Sequence, residues 1–203
     1  MTNKFQPESM KYILIIISIF LLSCKTEKKH IIFQNKKINV LHLTVNNTDS
    51  IKINLNNNKG KLFFAIDPEC PLCKSYSKTI NELYELYKDS IDCYGFLPST
   101  VFSREKIDLF IKNNDFTIPL IVDTNQILTE FLDARITPEC FLLDENLNTK
   151  YQGLIDDWVK DLGRKGQYIN ENYLNEAIIT YLANDTIIIN KTNAIGCIIE
   201  RLK

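Results

Sequence analysis

The sequence predicts an α/β fold: a central mixed β-sheet flanked by helices, with an N-terminal β extension. Three observations predict it. Short apolar runs alternate with amphipathic helical patterns in the order β, α, β, α, β, α, β, β, α, which calls for parallel strands joined by crossover helices. Two final apolar runs flank the turn Asp144 to Asn148, so an antiparallel hairpin closes the sheet and makes it mixed. Ahead of the first βα unit, Ile38, Val40, Leu41, Leu43, Val45, then Ile51, Ile53 and Leu55 alternate around Asn46-Asn47-Thr48-Asp49, the pattern of two further strands and a turn. With 203 residues, 45% of them hydrophobic, one domain can bury a core of useful size. The net charge is −1 with both signs mixed along the chain, which gives no electrostatic footprint for nucleic acid.

The first 37 residues read as address rather than fold. Lys11 precedes an apolar run from Tyr12 to Leu22, about half of the ~20 residues that span a bilayer. Residues 1–23 therefore read as a signal peptide, with Met10 as an alternative start. Leu21-Leu22-Ser23-Cys24 is similar to a bacterial lipobox, which makes Cys24 the expected lipidation site and membrane anchor. Residues 24–37 are polar and basic, a tether to the domain at 38–203. The expected location is the periplasmic side of a bacterial envelope membrane, where disulfides persist.

The first buried strand is expected at Leu62 to Ile66 and is followed by an Asp67-Pro68 turn. Cys70-Pro71-Leu72-Cys73 comes next. Leu72, Tyr76, Ile80, Leu83 and Tyr87 then recur at spacings of four, four, three and four, one face of a helix. Pro71 falls at the first helical position, where its missing N–H costs nothing. Two thiols three residues apart at the start of a helix are placed for redox chemistry. Further on, Ile91 to Leu97 reads as a strand and Arg104 to Asn113 as a helix capped by Ser103. Ile118 to Val122 is a short strand, and Thr124 to Ala134 a helix. Cys140 to Leu143 and Thr149 to Gly153 are the closing strands. Asp156 to Gln167 is charged and reads as a surface loop, and Asn170 to Leu182 as the last helix. Thr186 to Ile189 is a final apolar segment, ahead of the tail Thr192 to Cys197.

The strand–Cys70-Pro71-Leu72-Cys73–helix unit resembles the thioredoxin superfamily, and three further features extend the resemblance. Thr137-Pro138, about 65 residues on, is similar to that family's cis-proline loop. Phe141 to Gly153 is similar to its closing hairpin, and the last helix follows. The added helix before Pro138 is similar to the redoxin branch, which includes the alkyl-hydroperoxide-reductase/thiol-specific-antioxidant group. The segments Tyr151 to Asp157 and Thr192 to Cys197 resemble exported redoxin-domain lipoproteins. The resemblance covers about residues 38–200 and departs at three positions. Glu69 stands where many thioredoxins have Trp, Phe64 where many have a buried acid, and Asp67 where peroxiredoxins carry Thr or Ser. Glu69 should raise the Cys70 thiol pKa and the helix N-terminus lower it.

The resemblance implies a thioredoxin-like thiol–disulfide oxidoreductase with Cys70 as nucleophile and Cys73 as resolving thiol. Pro71, Leu72, Thr137 and Pro138 would form the active-site loops, with Thr137 offering backbone groups to a substrate strand. No organic cofactor and no metal is expected, only the redox-active Cys70–Cys73 disulfide. The alternatives are a thiol-dependent peroxidase and a two-thiolate Cu(I) carrier. Expected partners are a protein or small-molecule disulfide and a membrane electron donor or acceptor, with no nucleic acid, and the protein is expected to be monomeric. Cys93 and Cys140 read first as small apolar core residues. Cys140, close in sequence to Pro138, is also a candidate accessory thiol. Cys197 has three readings: a second resolving thiol, a partner of Cys93 or Cys140, and an incidental tail cysteine.

Overall fold

A computed structural model describes residues 41–45, 49–53, 57–99 and 102–202. The expected signal peptide, Cys24 and the tether lie outside these residues. In chain order the strands are β1 (Leu41–Val45), β2 (Asp49–Ile53), β3 (Gly60–Ala65), β4 (Ile91–Leu97), β5 (Leu120–Val122), β6 (Ile136–Thr137), β7 (Glu139–Leu143), β8 (Thr149–Gly153), β9 (Val159–Asp161), β10 (Arg164–Lys165) and β11 (Cys197–Ile198). The helices are α1 (Pro71–Tyr87), α2 (Arg104–Asn113), α3 (Ile127–Phe131) and α4 (Tyr173–Leu182). None of the described helices is long and apolar enough to cross a membrane.

Five strands form the main sheet in the order β5-β4-β3-β7-β8. β3 pairs parallel with β4 and antiparallel with β7, so the sheet is mixed, as the alternating pattern requires. β1 and β2 form a separate antiparallel hairpin, the expected N-terminal β extension.

β3 is buried along its whole length because both sheet faces are covered. Leu62 and Phe64 stand opposite Leu142 and Cys140 and share one core cluster with Tyr76, Ile80 and Leu83 of α1. On the other face Phe63 stacks on Tyr94 at 5.7 Å, and Phe96 meets Phe141 at 6.3 Å. All five residues of the expected α1 face are buried. Lys61 is also buried; its ammonium lies 3.3 Å from the Asp92 carboxylate and donates to the Lys59 carbonyl and the Asn57 side chain. Burial lowers its pKa and Asp92 opposes that, so the cation is kept in the core by being paired.

Three expectations are corrected. The helix expected over Thr124 to Ala134 contracts to α3. Gln126 enters the left-handed region (φ 52°), and Asp123 caps from further upstream, accepting from the backbone N–H groups of Leu128 and Thr129. The Asp156 to Gln167 loop holds a small antiparallel hairpin, β9–β10. It is fastened to α1 where the Tyr76 hydroxyl donates to Asp156 at 2.6 Å and Trp158 meets Tyr76 edge-on. The tail beyond Gly196 is a strand: β11 pairs antiparallel with β6, setting Cys197 opposite Thr137.

Candidate active site

The site begins with a turn. The Cys70 N–H donates to the Asp67 carbonyl (3.1 Å), and the Asp67 carboxylate accepts from the Glu69 and Cys70 N–H groups, so one acidic side chain fixes the loop between β3 and α1. Cys70 is the N-cap of α1, in extended conformation, with Pro71 following inside the first turn. A helix start leaves its first N–H groups without intrahelical partners, and Cys70 stands at that end of α1. Cys73, one turn on, is wholly buried, and its sulfur accepts from the Asp67 N–H at 3.4 Å.

The two thiols are driven in opposite directions. A hydrogen bond from the Cys73 thiol is the largest influence on Cys70. Another comes from Cys197 and two more from the Cys73 and Leu72 N–H groups. Together they overcome burial and bring its pKa down to about 5. Burial raises the Cys73 pKa well above the ordinary thiol value, and the neighbouring Cys70 thiolate raises it further. The expected competition between Glu69 and the helix N-terminus is outweighed by the Cys73 hydrogen bond, the largest cause of the lowered Cys70 pKa, to which the helix N–H groups add less. Glu69 is turned outward, its carboxylate 2.7 Å from the Lys106 ammonium.

The loop before β7 closes over the cysteines. The Thr137–Pro138 peptide is cis, and the Cys70 thiol lies 3.3 Å from the Thr137 carbonyl, to which it donates when protonated. Buried Glu139 shapes this loop by accepting from the N–H groups of Arg135 and Ile136 and from the Gln152 amide. Nothing in the local sequence around Glu139 marks that role.

The C-terminal segment then completes the site. The Cys197 sulfur lies 2.7 Å from the Cys70 sulfur, and under it Cys70 is only 2% exposed. Burial raises the Cys197 pKa to about 12, aided by its hydrogen bond and charge contact with Cys70. The segment is fixed on both sides of this contact. Thr192 accepts from the Leu154 N–H and exchanges a hydrogen bond with the Tyr151 hydroxyl. Beyond Cys197, the buried Gln126 amide donates to the Glu200 carbonyl and accepts from the Leu202 N–H. Gly196 is required where it stands, since a Cβ would overlap the Thr137 carbonyl.

The structure therefore brings Cys70, Cys73, Pro71, Leu72, Thr137, Pro138 and Cys197 together and leaves the other described thiols, Cys93 and Cys140, aside. Cys140 is buried and its thiol donates to the Gly153 and Leu154 carbonyls, toward β8. Cys93 is buried and donates to the Ile91 carbonyl. Asp67 is the site residue that sequence reasoning passed over as a turn former. Burial raises its pKa, the Cys70 thiolate adds to this, and its charge is felt by both Cys73 and Cys197. Among the described residues no group of three or more His, Cys, Asp or Glu side chains is placed to hold a metal.

A family model described as the AhpC/TSA family matches residues 36–152, more than half of the 203-residue chain. No curated protein matches the chain. Among solved structures, an uncharacterized conserved protein from Geobacillus kaustophilus superposes with a TM-score of 0.70 at 18% identity, covering 82% of this chain and 91% of its own. A hypothetical protein from Sinorhizobium meliloti gives 0.64 at 18% identity, covering 80% and 91%. A thioredoxin-like protein from Neisseria meningitidis gives 0.55 at 14% identity, covering 71% and 89%. At these identities the likeness is one of fold: thioredoxin-like.

Proposed function

The chain belongs to the AhpC/TSA family, and on that premise we propose that it is a thiol–disulfide oxidoreductase in which Cys70 and Cys73 cycle between dithiol and disulfide. Its redox character is that of the redoxin branch at large. The observation that carries the finer reading is the placement of the two thiols: Cys70 at the N-cap of α1 against the Thr137 carbonyl, and Cys73 wholly buried one turn on, a setting that pushes the Cys70 pKa down and the Cys73 pKa up. An attacking thiolate and a reserved resolving thiol are what a two-step exchange needs.

The reaction runs through one mixed disulfide. The Cys70 thiolate attacks one sulfur of a substrate disulfide, forming a Cys70–substrate disulfide and releasing the other sulfur as thiolate. Forming that bond removes the charge on Cys70 and with it one cause of the raised Cys73 pKa. Cys73 then gives up its proton and attacks the Cys70 sulfur, forming Cys70–Cys73 and releasing the second substrate thiolate. Asp67, whose carboxyl pKa is raised by burial, is the base we assign to receive the Cys73 proton, in place of the acid missing at Phe64. Run in reverse, the same steps oxidise a substrate dithiol. A low Cys70 pKa stabilises the reduced form and poises the pair toward accepting electrons.

The substrate is a protein or small-molecule disulfide. The N-terminal sequence supports an exported protein anchored by lipid at Cys24 and exchanging electrons with a membrane partner. Loss of membrane association in Cys24→Ala tests that part. The catalytic reading is tested by Cys70→Ser, assayed for turnover of a peptide disulfide. Loss of all turnover is expected, and full activity would remove the mechanism. The family itself favours a second reading, peroxide in place of the disulfide. Saturable peroxide consumption that depends on Cys70 would select it.

A further inference from the structure

β6 is the strand edge that would receive an extended substrate peptide. In this chain that edge is already paired, antiparallel, with β11. Cys197 is registered on Thr137, and its sulfur rests 2.7 Å from Cys70. That is within an ångström of the ~2.05 Å of a disulfide bond. The contact is built rather than incidental. Gly196 permits the close approach to the Thr137 carbonyl, the Thr137 hydroxyl reaches the Cys197 carbonyl at 3.5 Å, and Ile199 donates its N–H to the Arg135 carbonyl and is buried. Gln126 clamps the chain beyond. Cys93 and Cys140 are turned to backbone carbonyls elsewhere, so of the described thiols Cys73 and Cys197 are the two set against Cys70.

We propose that the C-terminal strand is a tethered substrate: it holds the peptide-docking edge of β6, and Cys197 exchanges disulfide with Cys70 as a second internal partner. This rests on the thiol–disulfide reading above. From the oxidised pair, the Cys197 thiolate attacks the Cys70 sulfur, the Cys70–Cys73 bond breaks, and Cys70–Cys197 forms. Cys73 leaves as thiolate and takes up the proton that Cys197 released. No net oxidation occurs and no other reactant is needed. When Cys70 is oxidised its charge is gone, and with it the contact that adds to burial in keeping Cys197 protonated, so the tail thiol ionises more readily when its target exists. An external peptide must displace β11 to reach Cys70.

The test uses full-length Cys73→Ser protein, reduced and then treated with bis(2-hydroxyethyl) disulfide. Cys70 attacks the reagent and releases one mercaptoethanol; Cys197 attack on the adduct releases the second. Peptide mapping is expected to find Cys70 joined to Cys197 and no retained mercaptoethanol. A persistent mercaptoethanol adduct on Cys70 overturns this proposal and leaves the oxidoreductase reading standing. A Cys70 that stays a free thiol overturns both. Adding Gly196→Ala, which drives β11 off β6, is expected to turn the first outcome into the persistent adduct. A Cys70–Cys197 bond undiminished in that double variant overturns the docking role of the strand. If Cys73→Ser fails to fold, the oxidised unmodified chain is mapped for the same peptide pair. Finding it supports the proposal, and finding Cys70 joined to Cys73 alone overturns it.

Discussion

Replacing Cys73 by alanine should raise the Cys70 pKa, because it removes the largest influence that lowers it. The Cys73 thiol donates the hydrogen bond that lowers the Cys70 pKa most, ahead of those from Cys197 and the helix N–H groups. A hydrogen bond to a charged group contributes roughly 1.5–3 kcal/mol, and 1.36 kcal/mol corresponds to one pH unit. Losing it should therefore move the Cys70 midpoint upward by roughly one to two pH units, from about 5 into the range of roughly 6–7. The ultraviolet absorbance of the thiolate reads this directly. Cys93 and Cys197 are pushed up to about 12, and Cys140 lies well above its ordinary value, so below neutral pH the domain's signal is that of Cys70. The sign is fixed: thiolate is present above the midpoint and disappears as pH falls through it. Because folding depresses this pKa from 9.0 to about 5, the stability of the reduced protein should rise with pH across that interval and be lost as pH falls through about 5. A variant midpoint that stays near 5 would refute the assignment of the Cys73 hydrogen bond. A parent midpoint near 9 would refute the thiolate itself.

Two further outcomes follow from the same geometry. Asp67→Asn keeps the turn acceptor but removes the base assigned to Cys73, so the Cys70 mixed disulfide should accumulate and turnover should fall by roughly the 10²–10⁴-fold typical of a lost general base; stopped-flow trapping of the adduct checks it. Tyr76→Phe deletes the hydroxyl that donates to Asp156, whose side chain is buried. Leaving that carboxylate one donor short should destabilise the fold by about 1–3 kcal/mol, read by denaturant unfolding, while the Cys70 midpoint stays in place.

The parts of the fold set by local pattern were legible in the sequence. β4 and α2 run over the expected residues because each is bounded by its own signals, Ser103 capping α2 by accepting from the Lys106 N–H. The Asp67-Pro68 turn, Pro71 at the helix start and the cysteine spacing are also local, and they set Cys70 at the head of α1. The less legible features depend on distant partners. α3 is short because Asp123 reaches past Gln126 to cap it, which periodicity cannot register. β9–β10 is charged and short, and its fastening to α1 depends on Tyr76 meeting Asp156, 80 residues away. Cys197 sits in a polar tail 127 residues from Cys70, and its register on Thr137 comes from strand pairing that no local motif announces. Asp67 reads as a turn former because it is one; its second role depends on its partial burial beside Cys73, which the turn pattern does not register.

The proposed exchange requires Cys70 and Cys73 to form a single two-electron couple with one thiol ionised. Redox titration in glutathione buffers at several pH values tests this most directly. Between the low Cys70 pKa of about 5 and the raised Cys73 pKa, reduction takes up two electrons and one proton. The potential should then fall by about 30 mV per pH unit and lie above the roughly −270 mV of thioredoxin. Cys70→Ser should abolish the transition. A slope near ~59 mV per pH unit would mean that both thiols are protonated in the reduced state, and a protein showing no two-electron transition would contradict the account altogether.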